Sequence, residues 1–239
     1  MNRLEFIHTT LILMGFSRVK EQKSLRMDPY LLIGKGGPEL VGKNYALLSQ
    51  ASEAFEAMAT EAKKEGILLK IVSSYRSYER QKSIWNSKFS NFKSQGMSDR
   101  KAIEKIIEYS TLPGTSRHHW GTDIDLIDAS QPAEGDVLVP QKFHQDGPYV
   151  QLRKWMDKHA ESFGFYLPYT DDPSRRGFKY EPWHYSFAPL SKPMLKDYLN
   201  LNHAQWILSE DLEGSEVVGK EFLESYLETH VKGINPSLL

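Results

Sequence analysis

The sequence predicts an α+β domain with a small, mostly antiparallel sheet flanked by helices and followed by a C-terminal helical extension. Three observations predict it. Strand candidates are separated by helical segments without a regular β-α-β rhythm. The helical segments carry apolar stripes. The chain has 239 residues, 40% of them hydrophobic, which suits one domain plus an appendage. The domain is expected to span residues 1–189, with N-terminal helices ahead of a core at about 67–189, and the extension to span 190–239.

Each element rests on its own residues. Leu47, Ala51, Phe55, Met58 and Ala62 form one stripe of a helix expected from about Lys43 to Glu65, with Lys63 and Lys64 near its end and Gly66 as the stop. The short, partly β-branched run from Ile67 to Ser73 predicts a strand, leading through Ser74-Tyr75-Arg76-Ser77 into a helix from Tyr78 to about Ser94. Ser98 is the N-cap candidate of the next helix, which buries Ile103, Ile106 and Ile107. After the Pro113-Gly114 break, residues alternate from Thr122 to Ile127, with Thr122, Ile124 and Leu126 on one face and Asp123, Asp125 and Ile127 on the other. A helix from about Tyr149 to Phe163, stopped by Gly164, precedes strand candidates at Phe165 to Leu167 and Trp183 to Phe187. The stretch beyond Leu190, including the amphipathic Phe222 to Val231, reads as helical and as carrying no chemistry of its own.

Composition excludes several function classes. Thirty Lys and Arg against 31 Asp and Glu leave no overall basic excess of the kind phosphate-driven nucleic-acid binding needs. The apolar run Leu11-Ile12-Leu13-Met14 is far shorter than the roughly 20 residues of a membrane span, so no membrane insertion is expected. It also makes a poor export signal, because Glu5 and His8 interrupt its approach and Arg18 and Lys20 follow where small residues should stand. The chain thus reads as cytoplasmic, with a periplasmic location as the alternative. Having no cysteine, it offers neither disulfides nor thiolate metal ligands.

Chemistry concentrates in two segments. The first is Ser116-Arg117-His118-His119-Trp120-Gly121-Thr122-Asp123-Ile124-Asp125. On one continuous strand His118 and Asp125 would point to opposite faces, so both reach a single metal only if the chain turns between them, and Gly121 suits that turn. Two carboxylates on one strand face are costly to bury without a compensating cation, which makes Asp123 either a partner of a ligand or a rival ligand. The second segment is Tyr180-Glu181-Pro182-Trp183-His184-Tyr185. Pro182 biases Glu181 towards an extended conformation, so a strand entered through Glu181 would aim His184 at the metal and leave the carboxylate beside it. Two histidines and one carboxylate leave an open position on zinc, the pattern of a catalytic site. Taken singly, a His-His pair is more often a surface feature and Glu-Pro-Trp-His a strand start with a packed tryptophan; their joint occurrence is the stronger signal.

Ser116-x-His118-x-x-Gly121-x-x-x-Asp125 followed by Glu181-x-x-His184 resembles the paired motifs of the D-Ala-D-Ala metallopeptidases, and most closely the VanY-type carboxypeptidases, whose fold is shared with the hedgehog signalling domain. The likeness runs from about Ile67 to Phe187. It implies one zinc per chain, held by His118, Asp125 and His184, with Glu181 as general base. The motif often has alanine where this chain has Asp123. The same resemblance reaches Tyr75-Arg76-Ser77 and the following helix with Gln81, and implies that Arg76 stands near the substrate carbonyl or terminal carboxylate. Physically, Arg76 at a strand end is suited to an oxyanion or a bidentate carboxylate clamp, or else to an ion pair with Glu79. Tyr75, Ser77, Gln81, Ser116, Trp120, Asp123 and Trp183 are candidate substrate-binding residues, each aromatic being equally suited to the core.

Two rival classes are weighed. Ser-x-x-Lys occurs at Ser17/Lys20, Ser90/Lys93 and Ser98/Lys101, but neither Ser-Asp-Asn nor Lys-Thr-Gly accompanies it, which disfavours a serine peptidase. A zinc-containing peptide-binding module without turnover would have no need of Glu181. The resemblance implies cleavage next to a C-terminal D-alanine in peptidoglycan stem peptides. In the cytoplasm these are mainly recycled tetrapeptides, implying an L,D-carboxypeptidase; an exported enzyme would be a D,D-carboxypeptidase meeting pentapeptides.

Overall fold

The structure is a computed structural model and describes residues 27–207 and 212–239. The apolar run at residues 11–14 and the Ser17/Lys20 pair lie outside the described residues. A single turn, α1 (Pro29–Leu32), leads to the long helix α2 (Ser49–Lys64). That helix begins later than Lys43 because Val41 and Leu47 pair through their backbones, at 2.8 and 3.0 Å, before the helix starts. Helix α3 (Tyr78–Ser94) spans the expected range, with Ser77 Oγ accepting from Arg80 N. Helix α4 (Asp99–Ile106) is capped in the same way by Ser98. Such caps satisfy otherwise unpaired helix donors, each worth about 1 kcal/mol.

Four strands, β1 (Leu69–Ser73), β2 (Asp123–Asp128), β3 (Phe165–Tyr166) and β4 (His184–Phe187), form one sheet in the order β1-β2-β4-β3 with every neighbour antiparallel. This is the α+β class with a small antiparallel sheet flanked by helices. Strand β2 is buried throughout, so its alternation separates two interior environments and not core from solvent. Ile124 and Leu126 join an apolar cluster with Phe55 and Met58 of α2 and Leu152 of α5 (Val150–His159). Asp123 and Asp125 take the other face.

A second apolar cluster joins Trp85, Ile103, Ile106 and Trp120 to Met194, Leu195 and Tyr198 of α6 (Ala188–Leu199), Ile207 of α7 (His203–Ile207) and Leu223 and Tyr226 of α8 (Lys220–Tyr226). Side chains from both sides of residue 189 therefore share it. The phenol of Tyr226 also accepts from Leu112 N at 3.1 Å and contacts Thr115 Oγ1, which ties the last helix to the loop ahead of His118. Among the described residues no helix is long and apolar enough to cross a membrane.

Candidate active site

Strand register creates the centre of the site. In β2–β4 pairing Asp125 lies opposite His184 and Asp123 opposite Ser186, while across the other edge Asp125 lies opposite Ser73. Directly opposed residues on neighbouring strands share a face at van der Waals range. The pairing therefore sets the Asp125 carboxylate against the His184 imidazole, with Asp125 Oδ1 3.5 Å from His184 Nδ1.

His118 arrives by a different route. It sits in a 3-10 turn, Arg117–Trp120, which ends at Gly121 with φ 68° and ψ 25°. That left-handed conformation is easy for glycine and strained for a residue with a Cβ. A Cβ there would also stand 2.8 Å from Leu40 Cδ2, so that side chain would have to shift. The turn reverses the chain before β2, so His118 and Asp125 reach the same place. His118 Nδ1 donates to Ser74 O at 2.8 Å, which leaves Nε2 to face Asp125 Oδ2 at 3.4 Å. The neighbouring His119 is a structural staple: its Nδ1 donates to Arg76 O at 2.6 Å and its Nε2 accepts from Gly114 N at 3.1 Å. Burial holds its pKa down at about 3 and keeps it neutral.

Glu181 is not part of the strand, contrary to the expected strand start. Pro182 and Trp183 form a turn in which His184 N bonds Glu181 O at 3.2 Å, and this folds the Glu181 carboxylate back until Oε2 is 3.0 Å from His184 Nδ1. Burial pushes the Glu181 carboxyl up from its ordinary pKa, against the opposing pull of His184. For His184 burial acts downward, but hydrogen bonds to Asp123 and Glu181 outweigh it and the pKa is pushed up to about 10. The surrounding carboxylates thus strongly favour positive charge at this point.

These residues fit a divalent cation. One donor atom each from His118, Asp125 and His184 lies within 4.8 Å of the others, and all three side chains are buried. Asp125 Oδ1 is buried with no hydrogen-bond partner, a condition that a bound cation would relieve. Asp123 is different: its charge is already matched by Arg117, whose Nε donates to Oδ2 at 2.8 Å. The donor set, two imidazoles and a carboxylate, suits zinc and leaves a position open.

The cluster forms the floor of a cleft of about 560 Å³. Arg76, Ser116, Glu181 and Trp183 line it, and beyond Arg76 the wall continues along α3 through Ile84 to Lys88, with Asp136 also on the lining.

Residues 44–190 match the family model described as VanY, D-alanyl-D-alanine carboxypeptidase. The chain belongs to this family. The D-alanyl-D-alanine carboxypeptidases for which the family is named are hydrolases. A D-alanyl-D-alanine carboxypeptidase of Enterococcus faecalis is 28% identical over 148 residues, 58% of this chain and 50% of that protein. A Haemophilus influenzae protein of undescribed function is 29% identical over 119 residues, 49% of this chain and 87% of its own. The VanY-family chain spans about half the length of the E. faecalis relative and of a Bacillus subtilis one. Two solved structures share the fold: VanYB in complex with D-alanine-D-alanine (TM-score 0.52, 20% identity, 74% of this chain and 92% of that one) and a Zn(II)-bound variant of the VanY D,D-pentapeptidase from a VanB-type cassette (TM-score 0.51, 23% identity, 68% and 88%).

Of the residues singled out in the sequence, His118, Asp125, His184, Glu181, Arg76, Ser116 and Trp183 line this cleft. The others do not. Gln81 is fully buried and bonds Arg76 Nη1 at 2.8 Å, while Ser73 Oγ takes Nη2 at 2.9 Å, so Arg76 is held by these two and not by Glu79. Ser77 caps α3, Tyr75 reaches Gly36 O at 3.4 Å, and Trp120 packs in the apolar cluster with its indole N–H on Leu32 O at 3.0 Å. Asp123 lies beneath His184, off the cleft surface. Trp120, Asp123 and Gln81 are buried and absent from the cleft lining. Sequence reasoning passed over Lys88, Asp136, Tyr169 and Arg117. Only Arg117 carried a signal, as a cation within the motif beside two aspartates.

Proposed function

We propose that this chain is a zinc-dependent L,D-carboxypeptidase that releases the terminal D-alanine of peptidoglycan stem tetrapeptides. The observation that carries the reading is Asp125 Oδ1, buried and unbonded between His118 and His184 with the Glu181 carboxylate alongside. His118, Asp125 and His184 would hold zinc, which when bound would supply an acidified water and polarise the carbonyl that is attacked. Glu181 takes the water proton on its carboxylate and returns it to the leaving amine nitrogen. Desolvation raises its proton affinity, which suits a base acting near neutral pH. Arg76, held by Gln81 and Ser73, offers a fixed guanidinium to the substrate carbonyl or terminal carboxylate. Arg76→Lys keeps the charge and loses the planar fork, so kcat/KM should fall by about 10-fold or more with kcat affected, measured by steady-state kinetics.

Preference for the tetrapeptide is supported by the outer cleft. In a tetrapeptide the residue before the scissile bond is the diamino acid, with a long charged side chain; in a pentapeptide it is D-alanine. Lys88 and Asp136 place opposite charges on the lining beyond Arg76, suited to the polar end of a diamino acid and useless to a methyl group. Groups left without their partner in such a site discriminate strongly. Quantifying D-alanine release from matched tetrapeptide and pentapeptide tests the reading. Higher kcat/KM on the tetrapeptide is expected; preference for the pentapeptide would make the enzyme a D,D-carboxypeptidase, and zinc binding without turnover on either a binding module.

A further inference from the structure

Asp123 has every feature of a residue that works through another. Its side chain is fully buried, and four groups converge on it. Oδ2 accepts from Arg117 Nε at 2.8 Å and faces His184 Nε2 at 3.0 Å. Oδ1 accepts from Thr122 Oγ1 at 2.7 Å and from Ser186 Oγ at 2.8 Å. The frame around it is fixed as well: Arg117 Nη2 donates to Ser186 Oγ, whose oxygen also meets Ser191 Oγ at 2.9 Å, and the Arg117 guanidinium lies 4.9 Å from the Trp120 ring. An arginine and an aspartate buried this deeply would each cost several kcal/mol alone, and together they form a closed, hydrogen-bonded pair. An ionised carboxylate has no proton to give. The hydrogen between Asp123 and His184 therefore belongs to the imidazole, on Nε2.

That assignment decides which nitrogen faces the cluster. With Nε2 protonated and turned to Asp123, the other nitrogen, Nδ1, stands among Asp125 Oδ1 and Glu181 Oε2. We propose that Asp123, clamped by Arg117, Thr122 and Ser186, is the positioning residue that fixes the orientation and tautomer of His184 so that Nδ1 is the metal-binding atom. It rests on the reading of His184 as a zinc ligand. Metal-ligating histidines are commonly held through their other nitrogen in this way, and loss of the outer partner typically weakens metal affinity by about 10- to 100-fold. The sheet supplies the geometry directly: Asp123 and Asp125 are two apart on β2, so one aspartate meets the cluster side of the ring while the other meets its far side.

The test is the zinc dissociation constant of Asp123→Asn, measured by competition with a chromophoric chelator, alongside a circular-dichroism melt of the same protein. The wild-type chain must bind zinc in this assay; if it does not, the proposed function fails before Asp123 is tested. With wild-type binding in hand, a folded Asp123→Asn is expected to bind zinc about 10- to 100-fold more weakly. A folded variant with unchanged zinc affinity would overturn the proposal, whatever its melting temperature. Should Asp123→Asn fail to fold, Ser186→Ala decides instead, because it keeps the direct Arg117 Nε–Asp123 Oδ2 bond while removing the Ser186 hydroxyl that bonds Oδ1 and braces Arg117 Nη2: weaker zinc binding supports the role, and unchanged affinity overturns it.

Discussion

Stripping the metal with a chelator is expected to abolish peptide hydrolysis, and stoichiometric zinc to restore it. At neutral pH an unactivated water is far too weak a nucleophile for an amide, and a zinc-bound water has a pKa near 7, against about 15.7 in bulk. His118→Ala, Asp125→Ala and His184→Ala should each reduce the zinc retained through gel filtration, since each removes one of three protein donors from a cluster only 4.8 Å across. Elemental analysis of the wild type should return one zinc per chain. Undiminished activity in a preparation shown to be metal-free would end the proposed mechanism.

Glu181→Gln is expected to keep its zinc and lose turnover, by about 10²- to 10⁴-fold in kcat, the usual contribution of a positioned general base. The amide preserves the shape of a side chain that is almost wholly buried, so the variant should fold, but it has no carboxylate to accept the water proton. Binding of the metal should survive because Glu181 lies outside the three-residue cluster, beside His184. Measuring kcat and bound zinc on one preparation separates the two roles. If zinc is lost along with activity, Glu181 is a ligand and the assignment of Asp125 must be reconsidered.

Much of the site was legible in the chain itself because the constraints are local. Gly121 is needed where the backbone adopts a left-handed conformation, and its position between His118 and Asp125 announces the reversal that lets both serve one centre. The helix from Tyr78 to Ser94 and the caps at Ser77 and Ser98 follow from side chains bonding the backbone a few residues away. Where local preference and tertiary pairing competed, the sequence misled: the apolar stripe near Leu47 extended the first long helix backwards, but Leu47 is drawn into a bridge with Val41.

What only the tertiary structure decided is which polar groups share a partner. Asp123 and Asp125 are chemically identical and lie on one strand face, so spacing and alternation alone do not distinguish them, and only the family resemblance favoured Asp125. The distinction comes from Arg117, carried by the preceding turn under one carboxylate and neutralising it, while the other is left with an unbonded oxygen facing two histidines. Trp120 was equally plausible as cleft or core, and Arg76 as a substrate clamp or a partner of Glu79, until packing buried Trp120 and Gln81 and left the guanidinium on the lining. Lys88 and Asp136 joined the list for the same reason: each is an ordinary surface-type residue in sequence, and both became part of the cleft when α3 and the loop after β2 were brought to one wall. Local chemistry determines which groups the chain can offer, whereas strand register and helix packing determine which of them meet.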